Sequence, residues 1–154
     1  MKNKIIVKNK KIIIACDHAG YDLKNYIIKK NPSLAWVDLG TNSENSVDYP
    51  DYADKLAKKI KLLSRKKLVI GVLICGSGQG IAIRANRHKH IRAAICWSEE
   101  IAKASRMHND ANVLCLGARY TEPRLAQRIL KTFINTKFEG GRHERRVAKL
   151  AKKC

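Results

Sequence analysis

The chain has 154 residues, 45% of them hydrophobic, and carries 32 Lys and Arg against 13 Asp and Glu, a net charge of +19. That length suits a single domain able to bury about 70% of the surface its unfolded form exposes. No apolar run reaches the roughly 18 residues of a membrane helix or forms the short block of a secretory signal, so a soluble cytoplasmic protein without a membrane partner is expected. The cysteines (Cys16, Cys75, Cys96, Cys115 and Cys154) form an odd set without CxxC spacing, which argues against both disulfides and a zinc cluster. The positive charge would suit nucleic acid or another polyanion. It is nevertheless spread over 1–10, 58–67 and 142–153 without interleaved aromatics, so a solvated lysine-rich surface is preferred to a nucleic-acid-binding domain.

In chain order, a basic extension (1–10) precedes a domain over 11–154. Lys11 to Cys16 reads as a buried strand, followed by a helix from Ala19 to Lys30 with Tyr21, Leu23, Ile27 and Ile28 on its inner side; Pro32 closes it. Ala35 to Leu39 is a short second strand, Gly40 to Asp48 a polar loop, and Pro50 to Leu63 a helix with proline in its first turn. Leu68 to Ile74 is a strand apolar on both faces, leading through glycines into a helix from Gly80 to Arg87. A fourth strand at Ile91 to Cys96 is followed by a helix from Glu99 to Met107, with Ser98 as N-cap, two carboxylates in its first turn and His108-Asn109-Asp110 as its stop. Asn112 to Leu116, closed by Gly117, is the fifth strand; Pro123 to Asn135 is a helix, and Glu144 to Lys153 a basic C-terminal helix. Continuous apolar strands alternating with helices predict an α/β fold: a parallel five-stranded sheet covered on both faces, with ligands at the C-terminal strand ends.

The segment Cys75-Gly76-Ser77-Gly78-Gln79-Gly80 puts a thiol beside a glycine turn that opens a helix. Backbone N–H groups in such a turn can converge on one anionic oxygen cluster, and the helix dipole adds roughly half a positive charge. A cysteine there is a candidate thiolate, although a tight turn ending in a buried cysteine fits the same residues. The spacing lacks the third glycine of G-x-G-x-x-G, although Glu99 and Glu100 follow at the distance of a ribose-binding acid, and no Gly-Lys-Ser/Thr completes a P-loop.

Polar residues just beyond the strands are Asp17-His18, Cys75 with its loop, Trp97-Ser98 and Arg119. Asp17 also fits a helix N-cap and His18 a surface position. His108-Asn109, at the end of the fourth helix, belongs at the opposite edge of the sheet from Cys75. Only a neighbouring subunit brings the two together easily, which hints at a site shared in a dimer. Gly140-Gly141 ahead of Arg142, with Arg146 four residues on, would set two guanidiniums on one helix face. A thiol, imidazoles, backbone donors and arginines without metal-ligand or cofactor motifs suit proton transfer next to the carbonyl of a phosphorylated compound.

The motifs Ile14 to Gly20, Asp48-Tyr49-Pro50, Ile74 to Gly80, Ala85-Asn86, Arg106 to Asn112 and Gly140 to Val147 resemble, in order, the ribose-5-phosphate isomerase type B family, also called LacAB_rpiB. The resemblance runs from Lys11 to Lys153. It implies a Rossmann-like three-layer sandwich, a homodimer or dimer of dimers with shared active sites, and interconversion of ribose 5-phosphate and ribulose 5-phosphate without metal or cofactor, in the non-oxidative branch of the pentose phosphate pathway. Cys75 matches the base that moves a proton between C2 and C1 through a cis-enediolate, and His108 the acid that opens the furanose ring. Asp17 and His18 match sugar-contacting residues, His18 near the phosphate. Gly76, Ser77, Gly78, Gln79 and Gly80 match the anion-stabilising loop; Asn109, Arg119, Arg142 and Arg146 match residues that bind hydroxyls or phosphate. Ser77 stands where many members have Thr. Ile81 stands where one branch carries a Glu base, which leaves Cys75 as the base in reach. The segment 1–10 has no counterpart in the family. A related branch acts on six-carbon sugar phosphates, allose or galactose 6-phosphate, and this is the alternative substrate class.

Overall fold

The computed structural model describes residues 10–64 and 68–152; most of the basic extension, part of the basic 58–67 cluster, Lys153 and Cys154 lie outside the described residues. Five strands, β1 (Lys11–Cys16), β2 (Ala35–Asp38), β3 (Val69–Cys75), β4 (Ala93–Ile95) and β5 (Val113–Gly117), form one parallel sheet in the order β2-β1-β3-β5-β4. Helices α1 (Tyr21–Lys30), α2 (Tyr49–Leu63), α3 (Gln79–Ala85), α4 (Glu99–Asn109), α5 (Pro123–Asn135) and α6 (Arg142–Leu150) complete the described elements, with a 3-10 turn at His18–Gly20. The fold is the expected Rossmann-like α/β sandwich. Its strand order reverses between β1 and β3, and in open parallel sheets that reversal opens a crevice at the C-terminal strand ends.

Successive side chains of a strand point to opposite faces, so the apolar runs of β1, β3 and β5 feed two cores. Ile12, Ile14, Val72, Ile74, Leu114 and Leu116 pack with Leu23 and Ile27 of α1, Ala102 of α4 and Ile129 and Phe133 of α5. On the other face Ile13, Ala15, Leu73, Val113 and Cys115 pack with Leu56 and Ile60 of α2 and Ile81 and Ala85 of α3. α6 stands apart: it leans on α4, and His143 is its one buried side chain.

The inner side of α1 also holds a charge that the sequence pattern missed. Lys24 is 1% exposed, and its ammonium lies 2.6 Å from Asp38 Oδ2 at the end of β2. Asp38 Oδ1 in turn accepts the Gly40 amide at 2.9 Å. A buried lysine is tolerable because it is paired, and here the pair ties α1 to the loop that leaves β2.

Most element bounds shift by one or two residues, the fourth strand shortening from Ile91–Cys96 to Ala93–Ile95 and the third helix from Gly80–Arg87 to Gln79–Ala85; three further differences have a visible local cause. Chain over His18–Gly20 is a 3-10 turn, because the Asp17 carboxylate accepts the Gly20 amide at 3.1 Å and holds the first turn tight. His108 and Asn109 remain helical; the left-handed cap is Asp110 at φ 45. Its carboxylate is gripped by Arg92 at 2.8 Å and Arg106 at 3.0 Å, which offsets a conformation costly for a residue with a Cβ. The last helix begins at Arg142 rather than Glu144, directly after the positive-φ pair Gly140-Gly141.

On the opposite face of the sheet from α1, Arg84 of α3 makes two hydrogen bonds to Asp54 of α2, at 2.9 and 2.7 Å, and His88 Nε2 approaches the same carboxylate at 2.8 Å. Hydrogen bonding from Arg84 holds Asp54 at about 2, below its ordinary value of 3.8. A carboxylate held low in the folded state stabilises it above the unfolded value, and that contribution is lost as pH falls toward 2. Asp54→Asn should therefore flatten the acid limb of stability between about pH 4 and 2, measured by urea midpoints across that range.

Candidate active site

β3 ends on Cys75, and the carbonyls that follow its last buried residues organise their surroundings. Ile74 O accepts the Asp17 amide at 3.2 Å, Cys75 O the Ala118 amide at 2.9 Å and Gly76 O the Arg119 amide at 3.0 Å. The ends of β1, β3 and β5 are thereby fastened together, with the glycine loop between them.

Cys75 is 4% exposed and sits at the rim of the α2/α3 core beside Ile81 and Ala15. Its Sγ accepts the Gly78 amide at 3.1 Å, a donor a thiolate requires. Gly78 can aim that amide because it takes φ 78, where a side chain would strain the backbone. Ser77 Oγ accepts the Gln79 amide at 3.3 Å, while the Gly80 and Ile81 amides lead α3 without an intrahelical acceptor. The other described cysteines are packing residues: burial pushes Cys16 and Cys96 up to about 11 and raises Cys115 well above its ordinary value.

Around the loop stand Asp17, His18, Arg119 and Tyr49. Asp17 is the cap described above, and it also lies at the strand-order reversal. His18 Nδ1 accepts the Val47 amide at 3.2 Å, so a neutral ring carries its proton on Nε2, free to donate elsewhere. The Arg119 guanidinium lies over Gly76, where a Cβ would come 3.2 Å from its central carbon. The Tyr49 ring presses on Gly80, where a Cβ would meet it at 2.5 Å; sequence reasoning quoted Tyr49 in a motif but gave it no place at the site. Gly117 closes the floor, since a Cβ there would lie 2.6 Å from the Ser77 carbonyl oxygen.

The remaining candidates gather elsewhere. α4 starts after β4 and returns the chain to the edge where β5 begins, which puts His108 and Asn109 at the opposite end of the sheet from Cys75. Arg142 and Arg146 join them on exposed turns of α6. The expected separation of Cys75 from His108 within one chain is what the fold produces. His108 stacks on His143 with ring centroids 4.6 Å apart, and each Nε2 lies 3.7 Å from Glu139 Oε2. Burial, with the charges of His108 and Arg142, holds His143 below the ordinary imidazole value. His143 falls within a motif quoted from sequence but was given no role there, and Glu139 was not named, because nothing in spacing shows that the α5–α6 connection folds onto the end of α4.

A family model described as Ribose/Galactose Isomerase matches residues 12–150. The chain belongs to the Ribose/Galactose Isomerase family. Among its relatives, a putative sugar phosphate isomerase of Rickettsia conorii is 43% identical over 146 residues, covering 94% of this chain and 99% of that protein. The crystal structure of a ribose 5-phosphate isomerase from Thermotoga maritima superposes with a TM-score of 0.86 at 45% identity, covering 92% of this chain and 97% of that one. Ribose-5-phosphate isomerase B of Mycoplasma genitalium, solved with bound ribulose-5-phosphate, superposes with a TM-score of 0.85 at 41% identity, covering 92% and 94%. No helix among the described residues is long and apolar enough to cross a membrane.

The contact between Gly117 and Ser77 is backbone against backbone and cannot relax by a rotamer change. In this member of the Ribose/Galactose Isomerase family, Gly117→Ala should cost about 1–3 kcal/mol of stability. Hydrogen exchange should speed up at the amides of 76–80, while those of β1 remain protected.

Proposed function

We propose that the protein is an aldose–ketose isomerase that interconverts ribose 5-phosphate and ribulose 5-phosphate. The observation that carries the reading is Cys75 at the end of β3, with the Gly78 amide on its sulfur and further loop amides leading α3. The relatives named ribose-5-phosphate isomerase B, one of them holding ribulose-5-phosphate, support the substrate.

In this mechanism the Cys75 thiolate takes the proton from C2 of the open-chain aldose, and the electron pair moves into a C1–C2 double bond as the carbonyl oxygen becomes anionic. The Gly80 and Ile81 amides stabilise that oxygen. Within the cis-enediolate the C2 hydroxyl proton passes to the C1 oxygen, and the thiol then returns its proton to C1 as the carbonyl forms at C2, so one group serves as base and then as acid. Asp17 and His18 hold the sugar, and Arg119, leaning over Gly76, faces the bound anion.

The active site is completed by a second subunit. His108, from the far end of the partner's sheet, opens the furanose ring; Asn109, Arg142 and Arg146 bring hydrogen bonds and positive charge to the hydroxyls and phosphate. Supporting this reading, α6 buries one side chain within its own chain and leaves Leu150 61% exposed, while Trp97 is 64% and Tyr120 80% exposed beside the glycine loop. Exposed apolar surface of this kind is suited to an interface between copies.

Turnover of ribose 5-phosphate, exceeding that of allose or galactose 6-phosphate, should vanish in Cys75→Ala. Undiminished activity in that variant, or preference for a six-carbon substrate, would replace this reading. Shared sites are tested by mixing. Cys75→Ala and His108→Ala homodimers should each be inactive, whereas co-refolding them in equal amounts should restore about a quarter of wild-type activity, since half the dimers are mixed and each has one intact site.

A further inference from the structure

His108, Glu139 and His143 are brought together by three separate segments: the last turn of α4, the α5–α6 connection and the first turn of α6. The backbone beneath them is braced. The Glu139 amide donates to Met107 O at 3.0 Å, Arg106 Nε to Thr136 O at 3.3 Å and the His143 amide to Gly140 O at 3.1 Å. Gly140 and Gly141, at φ 73 and 55, let the chain double back so that Glu139 and His143 face one another.

The spacing of the three side chains is unusual for a hydrogen-bonded group. Both imidazole Nε2 atoms lie 3.7 Å from the same carboxylate oxygen, Glu139 Oε2, which is too long for a hydrogen bond. Nor does anything else among the described residues satisfy His143 Nε2: the side chain is 9% exposed and that atom is buried without a partner. Buried polar atoms are ordinarily paired. Two ligands bound to one tetrahedral ion at ~2.0–2.2 Å sit ~3.3–3.6 Å apart, close to the 3.7 Å between each imidazole and the carboxylate; because the two rings are stacked, the exposed His108 ring turns for both lone pairs to meet one ion. One donor atom from each of the three residues falls within 4.8 Å of the other two.

We infer that His108, Glu139 and His143 form a binding site for a divalent cation of the zinc class, with an open fourth position, and that its occupation switches the isomerase off. Two imidazoles and one carboxylate suit a borderline cation better than the all-oxygen preference of magnesium or calcium. The site is a weak one: Arg142 and Arg146 stand nearby, the chain is strongly basic, and the carboxylate supplies a single negative charge. The inhibitory consequence rests on the reading of His108 under Proposed function, because a nitrogen lone pair given to a metal cannot exchange a proton with the sugar ring. Binding itself does not depend on that reading.

The full-length protein, stripped with chelator, is titrated with Zn2+ by calorimetry and with Co2+ by visible absorption. One ion per chain is expected, with the Co2+ bands of a low-coordinate nitrogen and oxygen site. Glu139→Gln, on an exposed side chain that should leave folding intact, and His143→Ala should each weaken binding at least about tenfold. Cys75→Ala should bind as the wild type does, which separates the site from thiol capture. Zn2+ should also lower the turnover of ribose 5-phosphate by the wild type but not by Glu139→Gln, each compared with its own metal-free rate. Absence of binding by the wild type, or binding undiminished in both Glu139→Gln and His143→Ala, overturns the site. Binding at the site without any effect on turnover overturns the switch. Because metal binding is read without substrate, a protein inactive on ribose 5-phosphate would refute the isomerase reading and leave the titration still decisive.

Discussion

β3 is paired along both edges and buried over its whole length, and the positions of the glycine loop, Asp17 and Arg119 around Cys75 follow from it. A strand so enclosed cannot tilt or slip without moving the hydrophobic packing on both faces of the sheet. Its last two carbonyls and that of Gly76 extend that rigidity outward, since they receive the amides of Asp17, Ala118 and Arg119. Residues that would otherwise lie on mobile loops are thus referenced to the most constrained segment of the chain. The thiol is aimed by the strand and its amide donor by a single left-handed glycine.

The second group of polar residues obeys a different constraint. A crossover helix returns the chain to the edge where the next parallel strand begins, so residues at its end are necessarily far from those at the preceding strand's tip. His108 is in that position because α4 joins β4 to β5. Parallel topology therefore puts the thiol and the imidazole at opposite poles of one chain, which is why the function proposed above calls on a second subunit to unite them. The arginines of α6 reach the imidazole's pole through a connection anchored on Met107 and Arg106.

Much of this was legible in the sequence, for identifiable reasons. Strands buried on both faces leave unbroken apolar runs, as in β3, and helix starts leave chemical marks, as at Ser98, whose hydroxyl accepts the Ile101 amide, and at Pro123 in the first turn of α5. The Cys75 loop was readable because its thiol and glycines are contiguous. What escaped depends on contacts distant in sequence. Asp110 rather than Asn109 takes the left-handed cap because Arg92, eighteen positions earlier, grips it. Lys24 looks like a solvent-facing residue until Asp38 is found beside it, and the meeting of Glu139 with His108 depends on how one connection folds onto another helix.

The Lys24–Asp38 pair has a consequence for how sequences of this kind can diverge. Changing Asp38 alone strands the Lys24 ammonium away from water, whereas a joint exchange for two well-packed apolar groups removes both charges together. The two positions are therefore coupled in descent, and unequally: Asp38 accepts a new residue only in company with Lys24, whereas the carboxylate of Asp38 still reaches water when Lys24 changes first. Because Asp38 also holds the Gly40 amide, any lineage making that exchange must find another anchor for the loop leaving β2.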